Sequence, residues 1–244
     1  MSKNVLVTGG SRGIGEAISR EFAKKGYNVI INFKNSFDRA ERLKVELEKE
    51  YGVKVLLAQA DITDEVSVEN MIDEVITELG GIDVLVNNAG IVIDKEFEER
   101  TVQDWKQTLN VNLIAPFILT KLVGAEMVKQ GSGAIINISS TNGINTYYPT
   151  SVDYDASKAG LIQLTYDSAV QFSPYVRVNC VAPGWVNTEM NKDLPEDFVK
   201  SETERILVRR FADPEEIAKV VLFLASEDAS FVNGTVIKAD GGWY

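Results

Sequence analysis

The sequence predicts an α/β protein built on a doubly wound parallel sheet, with helices on both faces. Three observations carry that prediction. Short β-branched runs alternate with amphipathic stretches along the chain. The runs are nearly continuous in apolar residues, which suits strands covered on both sides. A glycine-rich turn follows the first run and opens a helical stretch, as in a βαβ unit.

In order, strands are expected at residues 4–8, 28–33, 53–58, 82–86, 134–138 and 176–181. A last strand is expected at 235–238. Helices are expected between them, at 13–25, 38–50, 64–79, 102–128, 152–172 and 214–226. Pro214-Glu215-Glu216 suits a helix start, with Asp213 as the cap and acids in the first turn. No linker, repeat or low-complexity tract interrupts the pattern, so residues 1–244 are expected to form a single domain. The least regular segment is 187–210. A long irregular segment in a compact domain suits a substrate lid.

The bulk numbers narrow the function. A chain of 244 residues buries roughly 70–75% of its unfolded surface and needs no staple. No apolar run approaches the ~20 residues needed to span a bilayer, and the start does not resemble a signal peptide. A net charge of −11 disfavours nucleic acid and anionic membranes as partners. Cys180 is the single cysteine, so no internal disulfide forms, and a cytoplasmic setting is expected. Its apolar surroundings suit a buried, inert thiol. Histidine is absent, which removes Ser-His-Asp and Cys-His catalysis and every His-bearing zinc site. No metal site is expected.

After the first strand comes Thr8-Gly9-Gly10-Ser11-Arg12-Gly13-Ile14-Gly15. Glycines let a backbone approach a pyrophosphate closely, and a helix N-terminus offers it free N–H groups. A tight turn with close helix packing would use the same residues. The spacing differs from Gly-x-Gly-x-x-Gly, and no Gly-Lys-Ser/Thr follows. An NAD site would place a carboxylate at the end of the second strand. Here Phe33-Lys34-Asn35-Ser36 stands there, with Arg12 in the loop nearby. Arg and Lys pair with a 2′-phosphate, so NADP(H) is favoured over NAD(H). Lys34 alone would suit a solvated surface, and Ser36 could simply cap the next helix.

Tyr154 and Lys158 lie four apart in an expected helix and share a face. A tyrosine with a pKa of about 10 is a poor acid or base until an ammonium favours its phenolate. Tyr154 could then protonate a carbonyl oxygen as hydride arrives at carbon, or do the reverse. An ordinary helix pair would show the same spacing. Ser139 and Ser140 end a strand, where ligands of open α/β sheets sit, and Ser140 could hydrogen-bond a substrate oxygen. Both also suit a turn, as does Asn87-Asn88-Ala89-Gly90. Asn112 lies in an apolar helix and needs partners, which could be water, a lysine or the core.

Jointly these residues resemble the compact branch of the short-chain dehydrogenase/reductase family. The resemblance covers essentially the whole chain. It rests on Thr8-Gly9 through Gly15, Asp61-Ile62, Asn87 to Gly90, Ser140, Tyr154-x-x-x-Lys158 and Pro183-Gly184 through Thr188. It implies a single-domain Rossmann-like fold and a tetrad. In that tetrad Asn112 holds a water, Ser140 orients the carbonyl, Tyr154 is the acid/base, and Lys158 binds the nicotinamide ribose and tunes Tyr154. It also implies that Gly9, Ser11, Arg12, Gly13, Ile14, Gly15, Lys34 and Ser36 contact the cofactor's phosphates and ribose. Asp61 and Ile62 would flank adenine, and Asn88, Ala89 and Gly90 would line the cofactor. Val186 and Thr188 would contact the nicotinamide amide. Asp61 also suits a helix cap.

Within the family the chain is most similar to 3-oxoacyl-acyl-carrier-protein reductases, through Gly90-Ile91-x-x-Asp94, Ala159-Gly160-Leu161-Ile162 and Ala239-Asp240-Gly241-Gly242. This implies NADPH-dependent reduction of a 3-oxoacyl thioester in fatty acid biosynthesis, acyl carrier protein as a partner, and a homotetramer. Two departures bear on the substrate. The connection Gln171 to Arg177 is short and lacks the customary Glu and Gly, and Arg209 stands where glycine is customary. The alternatives are a dehydrogenase of a sugar, polyol or other small secondary alcohol, and a non-catalytic cofactor-binding regulator.

Overall fold

Seven strands are present: β1 (Asn4–Val7), β2 (Asn28–Phe33), β3 (Val55–Gln59), β4 (Val84–Asn87), β5 (Gly133–Ile138), β6 (Val176–Pro183) and β7 (Val236–Ala239). In the computed structural model, which describes residues 2–189 and 191–244, they form one parallel sheet in the order β3-β2-β1-β4-β5-β6-β7. The expected β3 and β4 each move toward the C-terminus, and the others keep their places to within about two residues.

The helices are α1 (Gly13–Lys24), α2 (Phe37–Tyr51), α3 (Glu65–Leu79), α4 (Val102–Leu109), α5 (Ala115–Gln130), α6 (Val152–Phe172), α7 (Glu196–Glu204) and α8 (Pro214–Ala225). Strand alternation divides the core. Val5 and Val7 of β1 face a cluster with Ile18, Phe22, Leu43, Ile217 and Val221 of α1, α2 and α8. Leu6 faces the opposite cluster, with Val68 and Ile72 of α3 and Leu119 and Val123 of α5. Both faces are therefore dry, which is why the strands read as continuous apolar runs.

Two expectations change. The single helix expected at 102–128 is broken by a π turn at Asn110–Ile114, where the Ala115 N–H reaches the Asn110 carbonyl. Pro116, just beyond, has no N–H to continue the regular ladder. A widened turn of this kind re-aims its side chains and recurs at functional sites. The irregular segment 187–210 holds a helix, α7, entered from Pro195 with Glu196 and Asp197 in its first turn. Asp213 does cap α8, in a reciprocal capping box with Glu216.

The stretch Val102–Gln130, taken through the π turn, is long and apolar enough to cross a membrane by length and composition. In this fold it is a core element, with α5 packed on α3, α6 and β5.

The strand order reverses between β1 and β4, so their carboxyl ends open a crevice. Thr8 spans it. Its hydroxyl accepts from the Asn88 and Ala89 N–H groups at 2.9 and 3.0 Å, and its own N–H donates to the Val86 carbonyl at 3.0 Å.

Candidate active site

The glycine loop lies at that crevice. Gly9 and Gly13 have φ of 60° and 54°, which an L side chain rarely adopts. A Cβ on Gly15 would come within 2.6 Å of Asn88 Nδ2 and closer still to the Gly9 carbonyl. The glycines thus let the loop pack directly on itself and on Asn88 and Ala89 at the mouth of the crevice. Arg12 is exposed and extended at the start of α1, and Gly13 faces Thr188. Ile14 packs on the core. Arg12, Gly13, Thr188, Asn191, Lys192 and Phe211 help line a cavity of about 640 Å³. Val186 is buried and pairs with Ala212, which fixes the floor of the loop carrying Thr188.

At the end of β2, Ser36 precedes α2 without capping it and hydrogen-bonds Ser11, their Oγ atoms 2.8 Å apart. Lys34 is not aimed at these hydroxyls. Its ammonium pairs with Asp61 at 2.6 Å, and this holds the Asp61 carboxyl below the usual carboxylate range. Asp61 also accepts from the Thr63 N–H and hydroxyl, whereas the α3 cap is Asp64. Ile62 is buried in the core cluster beneath α3. The cations that share a cavity with Ser11 are Arg20, Arg39 and Arg42, in a space of about 350 Å³. Glu16 and Glu46 already hold Arg20, at 2.8 and 2.6 Å. Arg39 and Arg42 escaped the sequence reading. Their signal was spacing: three apart, in the first turns after a strand that ends without a carboxylate.

The candidate reacting groups gather across the crevice, on α6 and the end of β5. Lys158 Nζ lies 5.5 Å from the Tyr154 ring centroid and donates to the Ile138 carbonyl at 2.8 Å. Ser140 lies beside the Tyr154 hydroxyl, with its own proton directed to Asn142. Burial pushes the Tyr154 phenol up to about 12; the nearby Ser140 hydroxyl opposes this and the Asp155 charge adds to it. Burial pulls the Lys158 ammonium down to about 8. Asn112 is fully buried. It accepts from the Ile91 N–H at 2.9 Å and donates to the Ile91 carbonyl at 2.8 Å and to Ser157 at 3.1 Å. Both its donors are used, and one lone pair on Oδ1 remains. Gly90 sits between: a Cβ there would be 3.3 Å from Asn112 Oδ1 and 3.5 Å from Lys158 Nζ. Lys158 thus lies close to both Tyr154 and the Gly90–Asn112 position, and Ser140 close to Tyr154, so the four residues form one connected group.

Supporting residues complete the site. Arg100 Nη1 bonds Asp153 at 2.6 Å, and the two side chains are 2% and 0% exposed. Asp153 also accepts from Thr108 and from the Tyr154 N–H, so this pair fixes where α6 begins. Arg100 further donates to the Ile93, Lys95 and Thr150 carbonyls. Asn142 accepts from Ser140 at 3.2 Å and donates to Asp155 at 2.7 Å. Beyond them, Glu202 of α7 is 4% exposed. One of its oxygens accepts from Tyr148 at 2.8 Å and from Trp185 and Trp243 at 2.9 Å. Burial pushes that carboxyl up, but the three hydrogen bonds and Arg205 outweigh it and leave it below the usual range. Tyr148, Trp185 and Phe198 pack edge to face or tilted, and Trp185 stacks on Phe211. Arg209 has a φ of 58°, the only non-glycine in the left-handed region among the described residues. That conformation is why a glycine would fit there. Cys180 is buried, with burial raising its thiol to about 11, as expected of an inert group.

The short chain dehydrogenase family model matches residues 3–198. This chain belongs to the short-chain dehydrogenase/reductase family. Members are oxidoreductases that use a nicotinamide cofactor, and the glycine loop at the crevice, with Arg12, Arg39 and Arg42 lining the cavities beside it, fits such a group. A 3-oxoacyl-[acyl-carrier-protein] reductase of Aquifex aeolicus is 42% identical over 240 residues, covering 98% of this chain and 96% of that protein. A dehydrogenase/reductase from Sinorhizobium meliloti superposes with a TM-score of 0.94 at 36% identity, covering 99% of this chain and 95% of that one. Acetoin dehydrogenase from Salmonella typhimurium superposes at 0.89 with 32% identity, covering 100% and 96%.

Proposed function

We propose that this protein reduces a ketone to a secondary alcohol with NADPH, and that the ketone is a 3-oxoacyl thioester, carried by acyl carrier protein. The observation that carries the reaction is the convergence of Ser140, Tyr154 and Lys158 opposite the glycine loop. Its relatives named 3-oxoacyl-[acyl-carrier-protein] reductase support the substrate.

When bound, the reduced nicotinamide supplies a hydride to the carbonyl carbon. Ser140 donates to the carbonyl oxygen and sets its direction. Tyr154 gives its phenolic proton to that oxygen as negative charge develops there. Lys158, still mostly cationic at neutral pH, stabilises the phenolate left behind. The remaining lone pair of Asn112 would hold the water through which Tyr154 is reprotonated. Gly9 to Gly15 would hold the pyrophosphate, and Asp61, Ile62 and Asn88 to Gly90 the adenosine and nicotinamide ribose. Val186 and Thr188 would hold the carboxamide. Residues 187–210, anchored through Glu202, would act as the lid. The exposed apolar side chains Phe117, Tyr166 and Val170 on α5 and α6 suit contacts in a homotetramer.

A second reading is a dehydrogenase of a compact secondary alcohol. It is favoured by the aromatic wall of Tyr148, Trp185 and Phe198 and by the acetoin dehydrogenase likeness. A steady-state panel separates the two. Acetoacetyl thioesters should be turned over with NADPH at higher kcat/KM than diacetyl, acetoin or sugars, and the reverse ranking selects the second reading. Tyr154→Phe should lower turnover at least a thousandfold, with NADPH affinity kept within about threefold. Undiminished turnover in that variant refutes the mechanism.

A further inference from the structure

Arg39 and Glu189 are 150 residues apart in sequence and 2.6 Å apart in space. Arg39 stands on α2, beside Ser11 and Ser36. Glu189 directly follows Thr188 at the start of the segment after β6. Both line the cavity at the glycine loop and the smaller one beside Ser11. Glu189 is set among cations: Arg39 holds its carboxyl below the usual range, with further help from Lys192 and Arg12. A carboxylate facing Arg39, Arg12 and Lys192 at the ribose end of the crevice mimics the charge of a phosphate at the same place.

We propose that Glu189 is an internal stand-in for the cofactor's 2′-phosphate. It holds Arg39 across the crevice, and the 2′-phosphate takes Arg39 from it and frees the segment after β6 from α2. The inference rests on the NADP(H) reading and adds two assignments to it. Arg39 reads the 2′-phosphate, and that recognition is coupled to the lid.

Exposure makes the exchange feasible. The two side chains are 43% and 53% exposed, and surface pairs of this kind stabilise by at most about fivefold in an equilibrium constant. A phosphate brings up to about two charges and three acceptor oxygens against one carboxylate. It also meets Arg42 and the Ser11 and Ser36 hydroxyls, which Glu189 does not engage.

The test uses adenosine 2′,5′-bisphosphate and AMP, which differ only in the 2′-phosphate, with binding measured by calorimetry on the intact protein. Wild type should prefer the bisphosphate. Arg39→Met should weaken the bisphosphate at least tenfold and leave AMP within about twofold. Glu189→Gln should tighten the bisphosphate two- to fivefold and leave AMP within about twofold. Tryptic cleavage after Lys192 should accelerate in wild type when the bisphosphate is added. In Arg39→Met it should be fast without ligand and unresponsive to it. If wild type prefers the bisphosphate but Arg39→Met keeps that preference, or Glu189→Gln weakens it, the inference fails while the NADP(H) reading stands. If wild type binds AMP as tightly as the bisphosphate, the NADP(H) reading itself fails.

Discussion

Replacing Lys158 with methionine should remove a pH dependence of stability that the active site imposes on the fold. Lys158 is 4% exposed, and burial lowers its pKa from 10.5 to about 8. At neutral pH that buried charge costs the fold about 3 kcal/mol, at order-of-magnitude precision. With the folded pKa below the unfolded one, the unfolded chain binds more protons between pH 8 and 10.5, and stability rises with pH through that window. Cys180 acts in the opposite sense. Its folded pKa is raised from 9.0 to about 11, so stability falls as pH climbs past 9. The clean interval therefore ends near pH 9, and from about 7.5 to 9 Lys158 should contribute roughly 1 kcal/mol of rising stability. Methionine keeps the length of the side chain and forfeits the 2.8 Å bond to the Ile138 carbonyl. That loss is nearly equal at both pH values, so it drops out of the difference. Urea unfolding of wild type and Lys158→Met at pH 7.5 and 9 gives the comparison. Wild type should gain about 1 kcal/mol more than the variant. Parallel changes in the two proteins would refute the claim that this ammonium is buried at a cost.

Two further expectations concern the supports of the site. Arg100→Met leaves the Asp153 carboxylate buried without its cation and should destabilise by about 3–5 kcal/mol in chemical denaturation. Adding Asp153→Asn should recover part of that loss, and no recovery would mean that Arg100 acts through its three carbonyl contacts alone. Glu202→Gln weakens three hydrogen bonds to a charged oxygen and turns an amide toward Arg205, which should cost about 1–3 kcal/mol. Because Tyr148 and Trp185 would lose their anchor, KM for the ketone should rise more than kcat falls. An unchanged KM would show that this wall does not touch the substrate.

What the sequence made legible was local. Residues Asn4 to Val7 and Val176 to Val181 are apolar enough to announce buried parallel strands, because each face of the sheet meets its own helical layer. Gly9 to Gly15 and Tyr154 with Lys158 announce themselves because their chemistry needs a fixed short spacing on one backbone element. The Arg100–Asp153 and Arg39–Glu189 pairs had no such spacing; they exist only once the sheet order brings distant loops together. Glu202 is a glutamate in a polar stretch, and nothing local marks it as the acceptor for two tryptophans and a tyrosine. Two further signals lie in the sequence itself. Pro116 marks a break in a long helix, and Leu194-Pro195-Glu196-Asp197 repeats the proline-then-acid helix start of Pro214-Glu215-Glu216.

The two ends of the crevice are held by different physics, and this bears on how such an enzyme changes its cofactor. At the catalytic end the partners are buried. The carboxylates of Asp153 and Glu202 and the amide of Asn112 are each held by several short bonds, so losing one strands another in low dielectric. At the Ser11 end the ion pairs of Arg39, Lys34 and Arg20 are partly exposed and individually weak. A substitution there changes which anion is read at little cost to folding, whereas one at Arg100 or Asp153 risks the fold together with the chemistry. Cofactor preference should therefore be separable from stability in this chain. Charge reversal at Arg39 should alter the balance between NADP(H) and NAD(H) and move the midpoint of unfolding far less than Arg100→Met does.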